Sequence, residues 1–397
     1  MLPTSDLLNR LSESATLKMT ALAAKLKASG VNVISLSVGQ PDFETPRHIK
    51  DAAIEAVNGR FDGYSPVPGY MDLRQAICTK LKRDNNLDYK PEQIIVSTGA
   101  KQSLANIFLC FLNKGDEVLI PSPCWVSYPE QVKMCGATPV FVKGEAKNNF
   151  KITGAQLEAA ITPRTKFIVY SSPCNPTGSV YSKEELEVLA AVLEKYPEII
   201  IVSDEIYEHI NYIGKHFSIA QIPSMKDRTI VVNGQAKGYA MPGWRIGYIA
   251  APEYIVKACI KLQGQVTSGA SSIAQRATIE ALVGNQETTY QMRLAFQKRR
   301  DMVLKLLAEI PHVTCVVPDG AFYVFPDVSA YFGKSYEGDT IQDSDDLSMY
   351  LLNVGHVATV AGSSFEEPNC IRLSYAASEE ELREALSRIK NALAQLK

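Results

Sequence analysis

Little in this chain points to a metal, a disulfide framework, a membrane or a nucleic acid. Histidines number only 5 in 397 residues, and no two His or Cys fall at ligand spacing on a predictable helix or loop, so a metal site has no support. The 8 cysteines (Cys78, Cys110, Cys124, Cys135, Cys174, Cys259, Cys315 and Cys370) include no C-x-x-C pair. That usage fits buried thiols in a reducing compartment better than disulfides. An excess of one charge is missing too: 41 basic against 43 acidic side chains leave a formal net charge of −2, without the basic surplus of a nucleic-acid surface. No apolar run approaches the ~18 residues that a membrane span requires, the longest being strand-sized, such as IIIV at 199–202. The opening stretch interrupts its apolar positions with Asp6, Arg10, Lys18, Lys25 and Lys27 and lacks a cleavage-type signal, so a mature cytoplasmic protein is the expectation. Nor is there any G-x-G triplet, which removes the phosphate fingerprint of a nicotinamide-dependent dehydrogenase.

What is present is an α/β pattern. At 397 residues the chain exceeds what one core usually fills, which predicts one large and one smaller domain. From about residue 94 short β-branched runs alternate with amphipathic stretches: EQIIVSTG, DEVLIPSP, TPVFVKG, KFIVYSS, IIIVSDE, TIVVNGQ and IGYIAAP. Such runs predict a mostly parallel seven-stranded sheet buried between helices. Ser182 and Glu185 form a capping box for a helix over 182–196. Beyond it the pattern predicts helix over about 270–309 and strands in VTCVVP, AFYVFPD and CIRLSYA. A C-terminal helix is expected to start at Ser378, with Glu381 as capping partner and Leu382, Leu386, Ile389 and Leu393 as its buried stripe. The expected division is a large domain over 46–284 and a smaller α+β domain built from both chain ends, 1–45 and 285–397. The loop 331–346 is the segment expected to move most.

The chemistry concentrates in VVNGQAKGYAMPGWRIGY (231–248), which closes a strand, turns on glycines and sets Lys237 eight residues before Arg245. A lysine so held is a candidate Schiff-base nucleophile and the arginine a candidate phosphate ligand, together a pyridoxal phosphate anchor. Alone, the pair reads equally as two solvated loop charges. Upstream, however, stand YSSPCNPTG (170–178) and IIIVSDEIYE (199–208), and Gly99, Trp125, Asn175, Asp204 and Lys237 all fall just past predicted strand ends, where open α/β sheets gather ligands. Each has a plainer reading: Asp204 as a turn cap, Asn-Pro-Thr-Gly as a turn, Trp125 as core.

Taken together these motifs resemble the fold type I aminotransferases, essentially end to end. The attachment pattern is matched by Gly234, Lys237, Gly243, Arg245 and Gly247. Two positions depart from it: Ala236 stands where many members carry serine, and Gln235 where a smaller or apolar residue is usual. The resemblance implies pyridoxal 5′-phosphate as cofactor. It makes Lys237 the residue that forms the Schiff base and then shuttles the proton, Asp204 the partner of the pyridine nitrogen, and Tyr207 and Asn175 the partners of the phenolic oxygen. Arg245 with the backbone amides of Ala100 and Lys101 would hold the phosphate, and Trp125 would stack on the ring. Tyr64 resembles the tyrosine that reaches a neighbouring subunit's cofactor, which implies a homodimer.

For the substrate, Arg372 in CIRLSYA matches the arginine that grips the α-carboxylate, beside the Gly39 backbone, with Trp125 and Asn175 also in contact. Lys101, Ser14 and Thr16 resemble the I-beta subgroup's arrangement for a side-chain carboxylate. Aspartate and 2-oxoglutarate are therefore the expected amino and 2-oxo acids, with prephenate as the alternative acceptor. A β-lyase, or an aminotransferase for aromatic or alanine substrates, is the more distant reading. Phe322 is expected to line the pocket. Lys101 as a surface lysine, and Ser14 with Thr16 as a helix cap, are the plain alternatives. The stretch before SVGQPD is too short for a helix-turn-helix domain, which argues against a fused DNA-binding regulator.

Overall fold

The computed structural model describes residues 2–397. In chain order its first strands are β1 (Ile34–Ser35), β2 (Ile94–Ser97), β3 (Glu117–Ser122), β4 (Thr138–Lys143), β5 (Thr165–Ser171), β6 (Ile200–Asp204), β7 (Thr229–Gly234) and β8 (Gly247–Ala250). Strands β2 to β8 form one seven-stranded sheet in the order β2-β8-β7-β6-β5-β3-β4, and these are the seven runs read from the sequence. Neighbours from β7 through β6, β5 and β3 to β4 are parallel. Strand β8 runs antiparallel to both β2 and β7. The linker, residues 235–246, holds no crossover helix, only one short helical turn at Pro242–Trp244, and the chain doubles back. That short return carries both Lys237 and Arg245.

Alternate residues of the strands enter different cores, as a pleat of period two requires. Val118, Ile120, Val169 and Val202 pack with Leu104, Phe108 and Val256 of the helices Ala100–Phe111 and Glu253–Val266. Leu119, Ile168 and Ile201 meet Leu157, Leu186 and Leu193 on the other side. The helix Lys183–Leu193 begins at the expected box, Ser182 Oγ accepting from the Glu185 N–H while the Glu185 carboxylate accepts from the Ser182 N–H. The last helix, Glu379–Leu393, repeats the device with Ser378 and Glu381, and its predicted stripe is buried.

Two expectations need revision. The helical region over 270–309 is two helices, Ser272–Val283 and Glu287–Leu307; Gly284 ends the first, where a Cβ would lie 2.6 Å from the Glu280 carbonyl oxygen. VTCVVP is not a strand, making only an isolated bridge from Thr314 to Asp327. Its Val313, Cys315 and Val316 pack as side chains on two cores instead of joining a ladder. The loop 331–346 is built on a hairpin of β10 (Ser335–Tyr336) and β11 (Asp339–Thr340), which follows β9 (Tyr323–Val324) and is anchored by buried Tyr331 and Ile341.

The chain ends meet each other. β1 pairs in parallel with β12 (Val357–Ala358), and β13 (Val360–Ala361), β14 (Ile371–Ser374) and β9 make a three-stranded antiparallel sheet. This places Arg372 and Tyr323 on adjoining strands. The eight cysteines are free thiols. Among the described residues no helix is long and apolar enough to cross a membrane, and no group of three or more His, Cys, Asp or Glu could hold a metal ion.

Candidate active site

A pocket of about 250 Å³ lies at the carboxyl ends of the parallel strands. The structure brings together in it Ser14, Thr16, Gly39, Ala100, Lys101, Trp125, Asn175, Asp204, Tyr207, Lys237, Arg245 and Arg372, twelve of the fourteen residues nominated from sequence. Its wall carries four cationic side chains, Lys101, Lys237, Arg245 and Arg372, against the single carboxylate of Asp204. Such an excess in a low-dielectric cleft selects a ligand with several negative charges.

Lys237 sits at the centre. Its ammonium donates to the Gly39 carbonyl oxygen and lies 5.5 and 5.8 Å from the Tyr207 and Phe322 ring centroids. Burial, reinforced by the charges of Arg372 and Arg245, pulls its pKa down to about 8. Asp204, at the end of β6, accepts hydrogen bonds from the Tyr128 hydroxyl at 2.7 Å and the Ile206 N–H at 3.2 Å. Burial pushes its pKa up to about 6 against the pull of those bonds. A carboxylate so poised gains from a buried cationic partner.

On one side the helix Ala100–Phe111 opens on the pocket, and its first N–H groups have no intrahelical acceptor. The geometry there depends on missing side chains. Gly99 has a φ of +83°, and a Cβ on it would lie 2.3 Å from Arg245 Nη2; a Cβ on Gly247 would lie 2.1 Å from the Ala100 nitrogen. Arg245, itself left-handed with φ 57°, is exposed and donates to the Pro242 carbonyl at 3.0 Å. The result is a concave set of N–H donors with one guanidinium, the shape that holds a phosphate.

On the other side Arg372 is 2% exposed. It donates to Asn175 Oδ1 at 2.9 Å and the Ser37 carbonyl at 2.6 Å, between the rings of Tyr323 (4.6 Å) and Phe365 (5.0 Å). Its Nε has no partner among the described residues, and the remaining N–H groups keep the fork available to a carboxylate. Trp125 stands edge-on to Tyr128 with centroids 5.4 Å apart, and the Lys101 ammonium lies 5.0 Å from the Trp125 ring. Ser14 occupies the cap position of the helix Ala15–Ala28 but makes no capping bond, so its hydroxyl, like that of Thr16, is left for the pocket.

Two nominated residues stand elsewhere. Tyr64 is fully exposed and does not line this pocket. Phe322 is completely buried in the turn just before β9, and its neighbour Tyr323, the first residue of that strand, lines the wall instead. Tyr128, Tyr323 and Ser171 are among the lining residues that sequence reasoning missed. Tyr128 was within reach of it, three residues after Trp125 at helical spacing. Of the two departures, Ala236 lies in the pocket wall, and Gln235 is buried with its Oε1 unpartnered among the described residues.

The site is tied down from behind by an ion pair between Lys80 and Glu208, with side chains 1% and 3% exposed. Glu208 also accepts from Asn85 and Asn233 Nδ2, each at 2.7 Å, and the Lys80 ammonium donates to Asn85 Oδ1 at 2.8 Å. Glu208 follows Tyr207 directly and Asn233 lies in β7, so one carboxylate joins the two segments that carry the pocket's acid and its lysine.

This sheet, with a half-buried lysine between a phosphate-type cradle and a buried arginine fork, defines an amino-transferring enzyme, and the family description "Aminotransferase class I and II" matches residues 31–389. The chain belongs to that family. Its relatives include a probable aspartate/prephenate aminotransferase of Rhizobium leguminosarum bv. phaseoli, 47% identical over 389 residues and 97% of each chain. Among solved structures it is similar to the aspartate aminotransferase from Rhizobium meliloti (TM-score 0.97, 42% identity, 100% of both chains). The Thermus thermophilus aspartate aminotransferase with maleate gives a TM-score of 0.93 at 41% identity, over 99% of this chain and 100% of that one.

Proposed function

We propose that this enzyme is an aspartate aminotransferase that uses pyridoxal 5′-phosphate to move the amino group of aspartate to 2-oxoglutarate, yielding oxaloacetate and glutamate in alternating half-reactions. The observation that carries the reading is the pocket's charge: three cations, Lys101, Arg245 and Arg372, face the one carboxylate together with the Lys237 amine of depressed pKa. One cation is matched to the cofactor phosphate and two to a dicarboxylic substrate; Asp204 is matched to the pyridine nitrogen. The residues present fit the cofactor. Gly99 and Gly247 leave the cradle that a Cβ would fill, and with Arg245 and the amides of Ala100 and Lys101 they would hold the phosphate. Trp125 would cover the ring, and Tyr207 and Asn175 would bond the phenolic oxygen.

When bound, the cofactor supplies the electron sink for the substrate α-carbon. Lys237, its ammonium beside the Tyr207 and Phe322 rings and its pKa near 8, would hold the cofactor's aldehyde through its neutral amine and, when freed, would take and return the proton of the substrate α-carbon. Arg372 grips the α-carboxylate, and Lys101 with Ser14 and Thr16 reads the side-chain carboxylate. Tyr64 is assigned to the cofactor phosphate of a second subunit in a homodimer, and the enzyme to the cytoplasm. Residues 46–284 are assigned as the cofactor-binding domain and the two flanking segments as the smaller one.

The test is a panel of amino donors with 2-oxoglutarate. Arg372→Ala should weaken every donor. Lys101→Ala should reduce kcat/KM for aspartate and glutamate by about tenfold or more, the worth of one charge-assisted contact, while sparing neutral donors; uniform loss across the panel would contradict the dicarboxylate assignment. The lysine makes a separate prediction about pH. Below its pKa the amine is protonated and cannot attack, so the rate at which apoprotein takes up the aldehyde should rise with pH, reach half its maximum near 8 and then level off. An ordinary exposed lysine would keep rising past ~10. A second acceptor, prephenate, is favoured by the printed name of the R. leguminosarum relative, and glutamate with prephenate belongs in the same panel.

A further inference from the structure

Tyr323 touches both halves of the pocket. Its hydroxyl lies 2.8 Å from that of Tyr207, and its ring packs 4.6 Å from the Arg372 guanidinium. The placement follows from the ladder: Tyr323 on β9 pairs with Ser374 on β14, putting Arg372 diagonally beside it. Gly39 makes room for the hydroxyl, since a Cβ there would lie 2.8 Å from Tyr323 Oη. Tyr323 is fully buried and Tyr207 nearly so, and among the described residues neither hydroxyl has another hydrogen-bond partner.

We propose that Tyr323 is a positioning residue that links the carboxylate-gripping Arg372 to Tyr207, fixing which way the Tyr207 hydroxyl donates. The inference rests on the proposed function for the roles of those two partners and adds the element between them. Each phenol carries one proton. If Tyr207 spends its proton on Tyr323, it has none for the cofactor's phenolic oxygen. The arrangement that serves the cofactor therefore has Tyr323 donating to Tyr207 and Tyr207 donating onward, and donors in series strengthen one another. The guanidinium against the Tyr323 ring favours this direction, because a nearby cation makes a phenol the better donor. A substrate carboxylate that neutralises Arg372 weakens that bias, so occupancy of the carboxylate site is felt at the phenolic oxygen through this second tyrosine.

The two ends of the side chain can be tested separately. Tyr323→Phe keeps the ring beside Arg372 and removes only the hydroxyl. In the holoenzyme, the pH midpoint of the bound cofactor's visible absorbance should move up by roughly 0.5–1 unit, the size of one lost hydrogen bond. The sign follows because a weaker donor leaves more negative charge on the phenolic oxygen, and the neighbouring nitrogen then holds its proton more tightly. The KM for aspartate should move by less than about twofold, since the ring is retained. Tyr323→Leu, which removes the ring as well, should add a rise in KM common to all donors. In a Tyr207→Phe background the Tyr323→Phe shift should vanish, because the relay has lost its next member.

A Tyr323→Phe titration superimposable on wild type, or one whose shift persists in full without the Tyr207 hydroxyl, overturns the relay while leaving the proposed function standing. A Tyr323→Phe protein altered only in melting temperature also overturns it, since that is what a purely structural hydroxyl would give. A wild-type chain that develops no pH-dependent visible band overturns the proposed function and the relay together.

Discussion

Replacing Lys237 with alanine should leave a folded, cofactor-binding protein whose amino transfer has fallen by a factor on the order of 10⁴ or more. The size follows from the two tasks given to one nitrogen. It is the nucleophile that attaches the aldehyde and the base that carries the α-proton, and no other free amine is near enough to substitute. Lys101, also on the pocket wall, lies against Trp125 instead of at the centre. Folding should survive because the only hydrogen bond lost is the one to the Gly39 carbonyl, and removing a half-buried amine also removes its desolvation cost. Single-turnover kinetics beside circular dichroism would measure both. Residual turnover within tenfold of wild type would mean that another group moves the proton.

Glu208→Ala should have the largest effect on stability, about 3 kcal/mol, because it leaves the buried Lys80 ammonium with only the part-exposed Asp84 carboxylate, 4.0 Å away, to offset it. Asn85 and Asn233 lose their acceptor in the same step. Removing both charges at once is a different matter. A Lys80→Met, Glu208→Leu pair should recover most of the loss, since apolar replacement of a buried ion pair is often close to neutral. Denaturant midpoints for the single and double variants test this. A single variant within ~1 kcal/mol of wild type would show that the pair is hydrated and not buried.

That ion pair also shows where a sequence stops being readable. Lys80 and Glu208 are 128 residues apart. In KLKRDNN the lysine looks like any solvated helix charge, and only the tertiary fold turns it inward. The sheet was legible for the opposite reason: apart from the edge strand β4, its β-branched runs are buried on both faces, and burial of that kind writes itself locally into composition. Strand ends carrying Asn175, Asp204 and Lys237 were legible because an open α/β sheet collects its ligands there. Tyr323 was missed in favour of Phe322 because composition does not tell where the turn gives way to β9, and so which of the two neighbouring rings meets the pocket. VTCVVP has strand composition, yet a strand exists only if a partner edge is free to pair with it. The break at Gly284 was hidden because helical periodicity continues on both sides of it. Tyr64, fully exposed, has no partner that a single chain could reveal.

The central claim is a covalent attachment at one nitrogen, and borohydride trapping tests it most directly. The protein is incubated with pyridoxal 5′-phosphate, reduced, digested and mapped by mass spectrometry. The account predicts a single stable adduct on the peptide containing Lys237, absent from the Lys237→Ala protein. A dominant adduct on any other lysine, Lys101 included, or no adduct at all, would contradict it.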